Sequence, residues 1–419
     1  MGKPPPGPRS IELARQLAEV EAPGVNTVSP GRSPLEGPIL WQEALGANVL
    51  DVDGNLYIDL TSGFGVAAVG HRHPRVVAAL VEQSGRLLHG LGDVHAHPGR
   101  VELASRLAAL APMPETQVFF ATSGAEAVEV AVKTAILSTG RPGILAFDPA
   151  YHGTTLGALA ATSRPEFRRP FARHLHPHLR RLPFGAPAGE VERELYRGDV
   201  SCVLVEPIVG REGVLVPPSG WLAEIADVCR EHGALLAVDE IFTGFGRTGS
   251  LFAVESEGVI PDLLCCGKAL GGGVPIAAVL GRRGLFQGWS VPGEALHTST
   301  FLGSPLSCAA ALAVLDILIE EDLPARAARL GETLGQRLGA WQARFPQVTD
   351  VRGRGLLWGI ELASRGEAKR LVASALARGV LLLAGGPEGR VAQIVPPLNI
   401  DGGQLSLAIG ILEDALCPL

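Results

Sequence analysis

Leu263-Leu264-Cys265-Cys266-Gly267-Lys268-Ala269-Leu270-Gly271-Gly272-Gly273 runs from an apolar strand into a glycine-rich turn, with a single lysine at the junction. A second stretch, Leu235-Leu236-Ala237-Val238-Asp239-Glu240-Ile241, has the same form and ends on a carboxylate. Each is a short continuous apolar run, the pattern of a strand covered on both faces. Three more runs share it: Val118–Ala121, Ile144–Phe147 and Cys202–Val205. Helical patterns over Ala125–Leu137 and Gly220–His232 separate them. The expected fold is therefore α/β, a doubly wound and mostly parallel central sheet. Ligands of such a sheet gather beyond the strand C-termini.

Outward from this centre, Ile11–Glu21 reads as a helix behind a proline-rich tail of about ten residues. Ala47–Leu60 reads as a hairpin turning at Asp53-Gly54-Asn55. Ser62–Gly70 is a glycine-rich loop entering a site, or a plain connection. Helices are expected over Val76–Leu87, Gly99–Leu110 and Pro305–Glu320. The pattern then changes: an amphipathic helix over Arg326–Phe345, a strand over Leu356–Leu362, a helix over Ala368–Arg378, an apolar run Val380–Leu383, a turn at Gly385-Gly386-Pro387 and a last helix after Asp401. These pieces suit a smaller α+β domain. The expected division is an N-terminal segment 1–60, a large domain 61–315 and a C-terminal small domain 316–419.

The chain has 419 residues and is 47% hydrophobic, ample for a packed core, with 53 glycines and 32 prolines for shaped loops. Its 36 Lys and Arg against 43 Asp and Glu give a formal charge of -7, which offers no general attraction to nucleic acid. The Arg- and His-rich run Phe167–Arg181 lacks aromatic platforms and reads as a solvated or interface-lining loop. Six cysteines without paired CxxC spacing read as reduced thiols rather than metal ligands. With no secretory leader or membrane-spanning stretch, a cytoplasmic location is the expectation.

Chemistry is expected at the strand ends. Lys268 supplies an amine held rigidly beside backbone that leaves room for a planar cofactor. Asp239 supplies a carboxylate that could keep a ring nitrogen protonated, although a helix cap or a metal ligand has the same local signature. Ser123-Gly124-Ala125 opens a helix after a strand and offers an anion pocket, or a simple N-cap. Tyr151-His152-Gly153 offers an aromatic face, Glu206-Pro207 a carboxylate, and Thr300 a hydroxyl for a phosphate.

Together these segments resemble the class III aminotransferases, fold type I pyridoxal-phosphate enzymes that include ornithine, acetylornithine and 4-aminobutyrate transaminases. The resemblance runs over about residues 30 to 415. It rests on Gly70-His71-Arg72-His73-Pro74, Thr122-Ser123-Gly124-Ala125-Glu126, Tyr151-His152-Gly153, Glu206-Pro207-Ile208, Asp239-Glu240-Ile241-Phe242-Thr243-Gly244, Gly267-Lys268-Ala269-Leu270-Gly271, Val351-Arg352-Gly353-Arg354-Gly355 and Pro396-Pro397-Leu398. It implies pyridoxal 5'-phosphate on Lys268 as a Schiff base, Asp239 at the ring nitrogen, Ser123 to Ala125 at the phosphate, and Tyr151, His152 and Glu206 around the ring. It also implies a homodimer, or a dimer of dimers, in which Thr300 reaches the other subunit's phosphate. The implied reaction moves an amino group from an amine or amino-acid donor, an omega-amino acid included, to a 2-oxo acid such as pyruvate or 2-oxoglutarate. The same Lys and ring chemistry would also serve an amino-acid racemase or epimerase, and a non-catalytic cofactor-binding homologue is a third alternative.

The substrate side departs from the family. Thr154 stands where relatives often carry an Arg, Arg211 stands where they often carry a partner-switching Glu, and Gln393 replaces a carboxylate-binding Arg, with Arg390 three residues earlier. Phe242 replaces a Gln or His near the cofactor's phenolic oxygen, and Phe64 lies in the glycine-rich loop. A substrate carboxylate would then meet Arg211, or the donor carries none near that position.

Overall fold

The computed structural model describes residues 3–25 and 38–417. Three N-terminal strands, β1 (Trp41–Leu45), β2 (Asn48–Asp51) and β3 (Leu56–Asp59), form an antiparallel meander. The β2–β3 turn closes on Asp51, whose Oδ1 accepts from Asp53 N at 2.9 Å and Asn55 N at 2.8 Å. This is the expected hairpin. β1, which nothing in its half-exposed sequence announces, pairs beside it.

The central sheet has seven strands: β4 (Thr116–Ala121), β5 (Gly143–Asp148), β6 (Leu179–Pro183), β7 (Val200–Val205), β8 (Leu235–Asp239), β9 (Leu263–Cys266) and β10 (Ala277–Arg282). Their order is β4-β10-β9-β8-β7-β5-β6. β6, β5, β7, β8 and β9 pair in parallel, while β10 runs antiparallel between β9 and β4. All five expected strands are present. β6 and β10 were not anticipated. β6 contains Arg180 and Arg181 from the basic run expected to be loop, and a charged strand is tolerated there because it lies at the sheet edge.

The last four strands are β11 (Val348–Arg354), β12 (Leu357–Leu362), β14 (Leu383–Gly385) and β15 (Val391–Ile394), ordered β11-β12-β15-β14, while the two-residue β13 (Val380–Leu381) adds to β3 in parallel. The expected long helix after Arg326 is instead Leu323–Gly339 followed by a separate turn, Trp341–Arg344. The first helix runs Pro8–Val20, so the tail is shorter than the sequence suggests. Its first turn is capped from afar: Asp53 Oδ1 and Oδ2 accept from Arg9 N and Ser10 N, each at 2.9 Å. No described helix is long and apolar enough to cross a membrane.

Buried side chains occupy both faces of the seven-stranded sheet. The sheet therefore delivers its strand ends, and the segments after them, to one rim.

Candidate active site

Five strands of the sheet bring candidate residues to its rim, four of them adjacent (β9, β8, β7 and β5) and the fifth, β4, beyond β10. β8 ends on Asp239, which pairs in register with Cys265 of β9, three residues before Lys268. β4 leads to Ser123, β5 to Tyr151 and β7 to Glu206.

Lys268 has a left-handed φ of 41°, so the chain turns sharply there and carries the side chain back over the rim. Its Nζ lies 4.1 Å from the centre of the Phe242 ring and makes no hydrogen bond or ion pair among the described residues. Desolvation lowers its pKa to about 8, against the pull of Asp239 and Glu206, and Arg211 adds to the lowering. A large neutral fraction near pH 8 is what a nucleophilic amine or a general base needs.

Asp239 is buried. Its Oδ1 accepts from Ile241 N at 3.0 Å, and its Oδ2 lies 2.8 Å from His152 Nδ1. Glu206 is also buried and bonds the backbone of two neighbours, accepting from Tyr151 N at 2.8 Å and Gly210 N at 3.1 Å. Burial pushes the Glu206 pKa up; the nearby His152 pulls it back and Asp239 pushes it further.

Ser123 caps the helix Gly124–Thr139, its hydroxyl accepting from Glu126 N at 3.2 Å. Glu126 turns its carboxylate back onto Thr122, accepting from its N at 2.6 Å and its hydroxyl at 2.5 Å. The N–H groups of Gly124 and Ala125 have no acceptor among the described residues, leaving an anion-binding turn at a helix N-terminus. Gly153 packs against this turn so closely that a Cβ there would lie 2.5 Å from that of Ala125.

Phe242 fills the space between two glycines: a Cβ at Gly65 would lie 3.0 Å, and one at Gly210 2.1 Å, from its ring. It thus packs directly beside the lysine. The glycine-rich loop does enter the site through Gly65. Phe64 itself is 68% exposed, at a φ of 62°, and points away from the packed wall.

Not every candidate is brought to Lys268. Arg390 is engaged elsewhere, with Glu361 Oε1 at 2.8 Å and Glu388 Oε2 at 3.0 Å, and lines a separate cleft with Glu212, Arg352 and Glu361. Both of its ion-pair partners are carboxylates, and no contact with Lys268 or Phe242 is found among the described residues. Gln393 is buried and structural in its contacts, its Nε2 donating to the carbonyls of Gly210 at 2.9 Å and Arg211 at 3.3 Å. Thr300 is exposed beside Gly92 and makes no hydrogen bond to the Ser123 segment among the described residues. Arg211 does stand at the site, its Cζ 4.0 Å from the centre of the Tyr151 ring. Sequence reading missed Phe167, whose ring centre lies 5.4 Å from that guanidinium. It lies in a run whose charge masks the one ring that matters.

An unpaired amine, a buried carboxylate and an open helix N-terminus at neighbouring strand ends agree with what comparison with known proteins finds. Residues 30–416 match the family described as aminotransferase class-III. The chain belongs to the class III aminotransferases. It is similar to the acetylornithine aminotransferase of Methanopyrus kandleri, 42% identical over 379 residues that cover 90% of this chain and 94% of that one. The fold matches the ornithine aminotransferase of Toxoplasma gondii with a TM-score of 0.89, at 30% identity over 97% of this chain and 94% of the other. It also matches an (S)-enantioselective omega-transaminase from Thermomicrobium roseum, with a TM-score of 0.88, 32% identity, and coverage of 97% and 98%. As a class III aminotransferase the chain has the fold type I architecture, uses pyridoxal phosphate and catalyses amino transfer. The residues at the rim fit that cofactor. The free N–H groups of Gly124 and Ala125 suit a phosphate, and buried Asp239, held by His152 Nδ1, suits a ring nitrogen.

Proposed function

We propose that this aminotransferase takes the amino group of a primary amine or amino-acid donor and delivers it to a 2-oxo acid such as pyruvate or 2-oxoglutarate, with Lys268 as the cofactor-holding and proton-moving residue. The reading is carried by the convergence of the unpaired Lys268 amine with buried Asp239 from adjacent strands. Bound pyridoxal phosphate supplies an aldehyde that condenses with amines and a ring that accepts the electron pair of a breaking C–H bond. Asp239, fixed by His152 and by Ile241 N, would hold the ring nitrogen and, as a carboxylate, would favour its protonated form. Ser123, Gly124 and Ala125 would hold the phosphate, and Tyr151, its backbone fixed by Glu206, would flank the ring. Lys268 Nζ, neutral in large part near pH 8, removes a proton from the substrate carbon and in its protonated form gives one back.

Two copies assemble in this reading, with Thr300 reaching the anion-binding turn of the other copy. The relatives' names span amino-acid and amine donors, so the family alone leaves the donor open. A half-reaction screen tests the proposal: purified holoenzyme is mixed with single amines and amino acids, and the cofactor's conversion from aldehyde to amine form is followed by absorbance. Conversion by a donor, release of its carbonyl product and reversal by a 2-oxo acid are expected. Donors that change configuration without carbonyl release would overturn it.

A further inference from the structure

Arg211 stands at the tip of a turn, 209–215, closed by two backbone bonds of 3.0 Å between Val209 and Leu215. Its carbonyl accepts from Gly386 N at 3.2 Å and from Gln393 Nε2 at 3.3 Å. The next residue, Glu212, is buried and accepts from Arg164 Nε at 2.7 Å. The backbone is thus pinned from several elements, and the side chain is held too, its guanidinium lying 4.0 Å from the centre of the Tyr151 ring and 5.4 Å from that of Phe167.

What this guanidinium lacks is an anion. Three arginines nearby are paired: Arg164 with Glu212, Arg352 with Asp350 and Glu361, Arg390 with Glu361 and Glu388. Arg211 makes no hydrogen bond or ion pair among the described residues, although it is half-buried. A rigidly held planar cation with its donors unspent matches a carboxylate in two parallel bonds. Its charge also bears on Lys268, so an anion bound to it would lie near the reacting amine.

We infer that Arg211 reads the carboxylate of the amino-acid donor and of the 2-oxo acid acceptor in turn, and that Tyr151 and Phe167 hold it in position to do so. The inference rests on the transamination reading above. Donor and acceptor differ at the carbon that exchanges nitrogen and oxygen, whereas the carboxylate is common to both, so one fixed cation serves both half-reactions. Phe242 cannot compete for the anion, having no polar atom. Phe167 acts as a positioning residue, its ring lying against the guanidinium of Arg211 at 5.4 Å and against that of Arg164 at 5.6 Å.

The test compares matched donors that differ only in the carboxylate, alanine against ethylamine and 4-aminobutyrate against propylamine, in single half-reactions of wild type, R211Q, R211K and F167L. R211Q is expected to lower the apparent second-order rate constant for the carboxylated member by about 10²-fold, the loss typical of truncating a charge-assisted pair, and to change the amine by less than about threefold. R211K recovers little, because an ammonium cannot make the paired contact. F167L raises KM for the carboxylated donor and leaves kcat and the amine unchanged. Equal losses across each pair, or none, would overturn the assignment. Titration of the holoenzyme with propionate, read by cofactor absorbance, decides Arg211 even if no donor in the set reacts: R211Q should weaken propionate at least tenfold, and unchanged affinity would reject the carboxylate role. Absence of cofactor conversion by every amine in wild type would count against transamination instead.

Discussion

Asp239 and Arg211 both bear on Lys268, yet the molecule holds them in opposite ways. Asp239 ends a buried strand, has both oxygens occupied and sits among other buried polar groups, His152 and Glu206. Arg211 sits on a loop, half-buried, with its backbone bonded and its charge unanswered. A satisfied buried network fixes geometry and tolerates little change. An unsatisfied group on a pinned loop can be exchanged for another without disturbing the sheet. The strand ends carry the lysine and the buried carboxylate, and the loops carry Arg211, Phe242 and Arg390.

The contrast makes predictions of decreasing size. Lys268→Ala should lower turnover by at least about 10³-fold with circular dichroism unchanged, since it removes the proton carrier without touching the core; turnover within tenfold of wild type would break the strand-end side of the comparison. Asp239→Asn keeps the size and part of the His152 contact but removes the charge. A fall in kcat of about 10²-fold is expected, with KM for the donor little changed, and a KM effect alone would move Asp239 to the substrate side. Gly331→Ala probes neither region. A Cβ there would lie 2.2 Å from the carbonyl oxygen of Gly355, backbone that cannot yield cheaply, so denaturant melts should show a loss of about 1–3 kcal/mol with rates at low temperature unaltered. The smallest effect is on pH. Since burial holds the Lys268 amine at about 8, the rate at which apoprotein takes up pyridoxal phosphate should rise about tenfold from pH 6 to 7 and level above pH 8. An ordinary lysine would keep gaining up to about pH 10.

Much of this was legible in the sequence because it depends on local pattern. β5, β7, β8 and β9 are continuous apolar runs, and each ends next to a residue with an obvious chemical use. β10 was not seen, as its buried run follows the glycine turn after Lys268 and looks like an extension of that loop. β6 was hidden by its two arginines, which only an edge position makes acceptable. The first helix starts early because a carboxylate 44 residues away caps Arg9 N. At the site, the lysine and the aspartate could be paired by their strand contexts, but the clamp on Arg211 could not. Phe167 on one side, and Gly386 and Gln393 in one hairpin on the other, come from two distant segments, and no local signal in either points at residue 211. Arg390 failed for the complementary reason: proximity in sequence to Gln393 says nothing of Glu361, which takes it away.

The account depends most on the Lys268 amine being the group that meets the cofactor. Borohydride reduction of the holoenzyme, digestion and mass mapping test it directly. The label is expected on the peptide containing Lys268 and nowhere else, and a protein that retains cofactor absorbance but yields no labelled Lys268, or a label on another lysine, would contradict it.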